Sequence, residues 1–222
     1  MDNYYGYRPF GVEHSIIPER PNMNECFTVW SDQMDLIPSA QNIPDLINSF
    51  LGWRDALAPF VKGILDEIAR SFSATAAPSF KKTSYLQINN SLPIPLEREL
   101  LQDKHEDGHM VTVIHSNTPG LEIYANGKES EVILPILPAR NEVVLSPGSV
   151  LTALTGGAIS PLYHHVRNHG LDNRQSLMYF VNPEIDKPLY SWVKSSRNER
   201  IDIREQVQNA PLMFGLPPIE AL

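Results

Sequence analysis

The chain has 222 residues, 42% of them hydrophobic, enough for one substantial core. It carries 18 Lys plus Arg against 26 Asp plus Glu, a formal net charge of −8, and no basic run. That balance argues against phosphate backbones and anionic membrane as partners, so no nucleic acid and no membrane are expected. A single cysteine, Cys26, excludes a disulfide framework and a Cys-based zinc site, and reads as a small apolar filler.

In chain order, residues 1–41 are rich in Pro, Asn and aromatics, with one short strand expected at Phe27–Trp30. From Ile43 the period becomes helical: Leu46, Ile47, Phe50, Leu51, Leu57, Val61, Ile64, Leu65, Ile68 and Phe72 recur at three- and four-residue steps. The spacing predicts a helix from about Pro44 to Phe72, kinked or split by Pro59. After the stretch SATAAPS the pattern turns strand-like at 83–89, 110–115, 121–125, 129–136, 142–147, 150–155, 163–168 and 174–182. The turn signals TPG, ANGK, PARN, SPGS, GG and NHGLDN separate these runs. Eight short strands so spaced indicate an antiparallel barrel or jelly roll. A terminal helix is expected over roughly Asp202–Phe214. The whole reads as one domain, 1–222: an irregular and helical support (1–82), a strand core (83–184) and a helical tail (185–222). No apolar run is long enough to cross a bilayer and no secretion signal is visible at MDNYYGYRPFG, so a cytoplasmic protein is expected.

The chemistry concentrates in HEDGHMVTVIH, residues 105–115, with three histidines and two acids. Taken as a strand, His105 and Asp107 point to one face, so an imidazole and a carboxylate converge. A third ligand must come from a distant strand, and YHHVRN offers His164 or His165. Two histidines and a carboxylate on one face of an octahedron leave three positions open, which suits Fe(II). Glu106 points the other way. Gly108 breaks the strand before His109, and His115 lies about 27 Å further along an extended strand at ~3.4 Å per residue. H-x-D alone recurs by chance. It gains weight from RQSLMYF, where Arg174 and Ser176 share a face and can clamp a carboxylate.

The stretches HEDGHMVTVIHSNTPGLEIY, GSVLTALTGGAISPLYHHV and RQSLMYFVNPE, with H-x-D, H-x-V and R-x-S in that order, resemble the isopenicillin N synthase-like family of 2-oxoglutarate- and Fe(II)-dependent dioxygenases. The resemblance runs from about Gly6 to the C-terminal helix. It implies a mainly β fold, a double-stranded β-helix (jelly roll) with a long supporting helix and a C-terminal helix. It implies Fe(II) on His105, Asp107 and His164, and 2-oxoglutarate as co-substrate held by Arg174 and Ser176. Relatives commonly carry a tyrosine ahead of H-x-D that touches the co-substrate; LQINNSLP offers Asn89, Asn90 or Ser91 there, and Asn89 is taken as the co-substrate contact. The H-x-V match favours His164, with His165 as the alternative where arginine is usual.

The implied activity is oxidation of a small organic molecule by dioxygen, by hydroxylation, desaturation or ring closure, with release of succinate and CO2. A secondary-metabolite or amino-acid-derived substrate is expected. The N-terminal region is shorter than in relatives, which implies either a more open pocket or closure of that side by a larger substrate or by a homo- or hetero-oligomer. Two other readings remain open at this level: a 2-oxoglutarate-independent oxidase like isopenicillin N synthase, and a non-catalytic β-barrel partner subunit.

Overall fold

A computed structural model describes residues 6–13, 15, 19–30, 37, 40–184, 187–196 and 199–203. Two antiparallel sheets form the body. The larger has six strands: β1 (Gly6–Arg8), β2 (Glu25–Trp30), β3 (Tyr85–Ser91), β5 (Val111–Ser116), β8 (Val144–Pro147) and β10 (Arg174–Val181), in the order β1-β2-β3-β10-β5-β8. The smaller has four: β4 (Leu100–His105), β6 (Leu121–Tyr124), β7 (Ile133–Pro135) and β9 (His164–Arg167), in the order β4-β9-β6-β7. From β3 onward the chain passes back and forth between the sheets, with only the hairpin β6–β7 staying in one, giving the double-stranded β-helix expected from the sequence. A further two-stranded ladder joins β11 (Leu189–Tyr190) to β12 (Arg200–Ile201). Among the described residues no helix is long and apolar enough to cross a membrane.

Helix α1 (Pro44–Ser71) supports the large sheet from outside. Pro44 sits at its first turn, where the missing N–H costs nothing. Ile47, Phe50, Val61, Leu65 and Ala69 bury one stripe against Leu86 of β3, Val111 and Val113 of β5, and Tyr179 and Val181 of β10. Pro59 does not split the helix. It lies on the exposed face, where the carbonyl of Asp55 that it leaves unbonded meets water.

Two sequence expectations fail locally. Residues 150–155 are not a strand: Ser149–Leu154 form a short helix, α2, burying Val150, Leu151 and Leu154. A six-residue apolar run cannot distinguish helix from strand by periodicity. Conversely, β4 was not expected, because two of its three inward positions are polar. Leu101, Asp103 and His105 are buried in alternation with half-buried neighbours, so the inward face does not read as hydrophobic. The expected strand at 129–136 shrinks to β7, whose three residues are all exposed. Of the terminal helix expected at 202–214, residues 204–214 lie outside the described residues.

Candidate metal and keto-acid site

The two sheets face each other across an open cavity lined by residues of both. His105 is the last residue of β4 and pairs in register with His164, the first residue of β9. Asp107 stands two residues beyond β4, in a loop and not on a strand, so strand parity is not what aims it. Its aim comes from α2. The backbone N–H of Ser149 donates to Asp107 O (3.0 Å), that of Val150 to His109 O (3.2 Å), and that of Gly148 to Met110 O (3.0 Å). Gly148 is required for this seat: a Cβ there would stand 2.2 Å from His109 O and 2.7 Å from Asp107 O.

His105, Asp107 and His164 are all buried, and each offers one ligand atom within 4.8 Å of the others'. Their outer hydrogen bonds fix which atoms those are. His105 Nδ1 is 2.7 Å from Asp103 O and His164 Nδ1 is 3.1 Å from Leu162 O. Carbonyls only accept, so both Nδ1 atoms carry the proton and both Nε2 lone pairs are available. The Gln102 amide NH2 donates to the His105 Nε2 lone pair at 3.2 Å, a bond that a metal ion on that nitrogen would replace. Thr112 Oγ1 donates to Asp107 Oδ2 at 2.6 Å, leaving Oδ1, 3.8 Å from His105 Nε2, on the ligand side.

Electrostatics prepare the same set. Burial pushes His105 down to about 4, with His164 adding to the effect and Asp107 opposing it. Burial alone would raise the Asp107 carboxyl, but the imidazoles of His164, His105 and His109 and the Thr112 hydroxyl hold it below the usual carboxylate range. At neutral pH the site therefore offers a neutral imidazole and an ionised carboxylate, the forms that bind a cation.

Across the cavity, β10 carries Arg174 and Ser176, both buried. Arg174 Nη1 donates to Ser176 Oγ (2.7 Å), Nη2 to Ser116 Oγ (3.3 Å) and Nε to Pro119 O (3.1 Å). Burial lowers Arg174 to about 10, which leaves it charged at neutral pH. Gly120, at φ +138°, makes room for it: a Cβ would come within 2.8 Å of Arg174 Nε. Ser91 and Asn89 on β3 pair with Arg174 and Ser176 respectively and line the same cavity. Asn90 has the opposite parity and donates instead to Glu25 Oε1 (2.9 Å).

Some candidates are placed elsewhere. His165 turns to the other face of β9, its Nε2 2.7 Å from Glu122 Oε2 and its Nδ1 2.7 Å from the Tyr124 hydroxyl. Both nitrogens are engaged there, so the structure brings His164, and not His165, to His105 and Asp107. Glu106 hydrogen-bonds the Tyr163 hydroxyl, which burial and that carboxylate raise to about 12. His109 is buried beside Tyr85, 3.2 Å from its hydroxyl, and His115 Nδ1 is 3.0 Å from Glu142 O. Sequence reasoning missed Ser116, Gly120, Gly148, Thr112 and Gln102. Thr112 and Ser116 share the inward parity of β5 with Ile114, but only the folded register sets them beside Asp107 and Arg174.

A double-stranded β-helix with a buried two-histidine, one-aspartate cluster and an arginine on the facing sheet defines a class of metal-dependent oxygenase folds. Residues 83–183 match the family model described as the 2OG-Fe(II) oxygenase superfamily. Gibberellin 3-beta-dioxygenase 2-3 of Triticum aestivum is 30% identical over 108 residues, which is 48% of this chain and 28% of that protein. The chain thus matches well under half the length of this relative. Among solved structures, the dioxygenase for auxin oxidation of rice superposes with TM-score 0.72 at 16% identity, covering 97% of this chain and 74% of that one. Dioxygenase for auxin oxidation 1 from Arabidopsis thaliana, in its binary complex with 2-oxoglutarate, gives TM-score 0.65 at 21% identity, covering 83% and 70%. At such identities these two likenesses establish the fold.

Proposed function

We propose that this protein is an Fe(II)- and 2-oxoglutarate-dependent oxygenase acting on a small organic substrate, with succinate and CO2 as co-products. The observation that carries the reading is the buried convergence of His105, Asp107 and His164 at a cavity whose opposite wall holds Arg174 and Ser176. The donor set fits the metal: two imidazole Nε2 lone pairs and one carboxylate oxygen, each oriented by an outer hydrogen bond. In this reading His105, Asp107 and His164 hold Fe(II), which leaves positions for the keto acid and dioxygen. Bound iron and keto acid supply the oxidation chemistry.

The chain's own residues bind, orient and exclude water. Arg174 and Ser176 hold the far carboxylate of 2-oxoglutarate, the guanidinium through its fixed fork and the serine through its hydroxyl. Asn89 contacts the same co-substrate from the neighbouring strand. Leu101, Ile114, Leu121, Val166 and Met178 supply the apolar lining that keeps the site dry. We further propose a secondary-metabolite or amino-acid-derived substrate and a single-domain organisation, consistent with the one apolar cluster that joins α1, the large sheet, Leu189 and Ile203. A cytoplasmic location and a homo- or hetero-oligomer belong to the same proposal.

The test is direct. Anaerobic protein given Fe(II) and 2-oxoglutarate should develop a weak visible charge-transfer band, and air should then release succinate. Absence of both from protein with an intact His105, Asp107 and His164 rejects the reading. Iron-dependent oxygen consumption without any need for added 2-oxoglutarate would instead make Arg174 and Ser176 a substrate clamp.

A further inference from the structure

Beside the clamp, a second polar system crosses the inner face of the large sheet, and its hydrogen bonds run in only one direction. Arg8, Cys26, Asn89, Ser176 and Ser116 form one row of successive cross-strand partners over β1, β2, β3, β10 and β5. Thr28 and Gln87 are partners in the next row. Arg8 Nη2 donates to Gln87 Oε1 at 2.9 Å and to Glu13 Oε1 at 2.6 Å. A guanidinium has donors only, so the Gln87 atom facing Arg8 must be its carbonyl oxygen. Thr28 Oγ1 donates to the same oxygen at 3.1 Å. The Gln87 NH2 then faces the Glu13 carboxylate, 3.4 Å from both oxygens, and donates to Asn89 Oδ1 at 2.8 Å.

The consequence falls on Asn89, which lines the cavity and is the cross-strand neighbour of Ser176. Its carbonyl is taken by Gln87, so its NH2 is what remains for a ligand. The clamp obeys the same rule. Arg174 donates to both Ser116 and Ser176, whose hydroxyl oxygens are 3.0 Å apart. When Ser116 donates to Ser176, the Ser176 hydroxyl hydrogen is left for the cavity. The guanidinium, the hydroxyl and the amide then form a wall of donors.

We propose that Gln87 is a positioning residue: its carboxamide, oriented by Arg8 and Glu13, locks Asn89 with its NH2 toward the cavity, as a third donor to the bound keto acid. This rests on the oxygenase reading above. It assigns a role in the co-substrate site to Arg8 and Glu13, residues that do not line the cavity. Hydrogen bonds chained in one direction polarise one another, so the orientation set at Arg8 and Glu13 carries through Gln87 to Asn89.

The discriminating variant exchanges the two side chains, Gln87→Glu with Glu13→Gln, and conserves net charge. The carboxylate introduced at position 87 still accepts from Arg8 and Thr28, but its second oxygen also accepts. Asn89 must then turn its NH2 to that carboxylate and its carbonyl to the cavity. With Zn(II)-loaded protein, which does not turn over, titration calorimetry should show 2-oxoglutarate binding at least tenfold weaker and Zn(II) binding unchanged. With Fe(II), KM for 2-oxoglutarate should rise more than kcat falls. Gln87→Met, which removes the lock without imposing a flip, should weaken binding three- to fivefold. It carries the test if the exchange variant does not fold. Wild-type affinity in either folded variant overturns the proposal. Failure of the Zn(II)-loaded wild type to bind 2-oxoglutarate at all instead rejects the keto-acid reading on which it rests.

Discussion

The two faces of the large sheet are built from alternate residues of the same strands, yet they obey opposite rules. Along β3, Leu86 and Ile88 face α1, while Tyr85, Gln87, Asn89 and Ser91 face the small sheet. Along β10, Leu177, Tyr179 and Val181 take the helix side, and Arg174, Ser176, Met178 and Phe180 the cavity side. On β5, Val111 and Val113 oppose Thr112, Ile114 and Ser116. The helix side gains stability from removal of apolar area from water, about 25 cal/mol per Å². The cavity side, together with the facing small sheet, buries an arginine, two metal-type histidines, a carboxylate and several amides, which cost free energy unless each finds a partner. The lesson is a division of labour within single strands: one parity makes the fold, the other is held in place by it.

Breaking each face separately should give opposite phenotypes. The largest effect is expected at the cavity: Ala at His105, Asp107 or His164 should abolish stoichiometric metal binding and cut turnover by about 10³-fold or more. Metal analysis of purified protein checks this. Asp107→Ala should also lower the melting temperature, because it leaves the Thr112 hydroxyl without its buried acceptor. His165→Gln, on the reverse face of β9, should by contrast retain the metal, and its loss there would mean the third ligand is misassigned. Leu65→Ala or Leu86→Ala, both fully buried on the helix side, should cost about 2–5 kcal/mol in urea unfolding while the folded fraction keeps its metal stoichiometry. Arg174→Met stands between the classes. It should leave metal binding intact but raise the 2-oxoglutarate requirement roughly 30- to 100-fold, about 2–3 kcal/mol, as expected for a charged hydrogen-bonding partner. An unchanged KM for 2-oxoglutarate in this variant would exclude Arg174 as its anchor.

The same division explains what could be read in advance. The helix-side parity repeats apolar residues at strand or helix period, so α1, β3, β5 and β10 were legible to within a few residues. The cavity-side parity interrupts that pattern with polar residues. It hid β4, where Asp103 and His105 take inward positions, even though β4 carries a metal-type ligand. The metal-type residues were legible for a different reason: their types and spacing are rare together, and His105, Asp107 and His164 do converge. Strand alternation accounts for only part of that convergence, since Asp107 is aimed by the N–H groups at the start of α2. Such backbone support has no side-chain signature beyond Gly148, which is why α2 itself was mistaken for a strand. The supporting hydroxyls and amides, Ser116, Thr112 and Gln87, become visible only when strand register sets them side by side.

The smallest expected effect is on pH dependence, and it separates the two faces again. Apolar burial does not titrate, so of the two faces only the polar one contributes acid sensitivity. His105 is pushed down to about 4 from an ordinary 6.5, chiefly by burial. As pH falls from 6.5, the unfolded chain takes up a proton that the folded His105 refuses, so stability falls until pH reaches the folded value. Asp107, held below the ordinary carboxylate range, acts in the same direction lower down: the stability it adds above the unfolded pKa of 3.8 is lost as pH falls through its folded value. The His105 contribution is on the order of 2 kcal/mol over its window, at ~1.4 kcal/mol per unit of separation. The urea midpoint of metal-free protein should therefore drop between pH 6.5 and about 4.5, and in His105→Gln the drop should shrink by about that amount. Zn(II) should stabilise the wild type most at neutral pH and progressively less on acidification, because proton and metal compete for the same Nε2 lone pairs. An equal slope in His105→Gln and wild type would place the acid sensitivity elsewhere and remove the electrostatic half of the contrast between the faces.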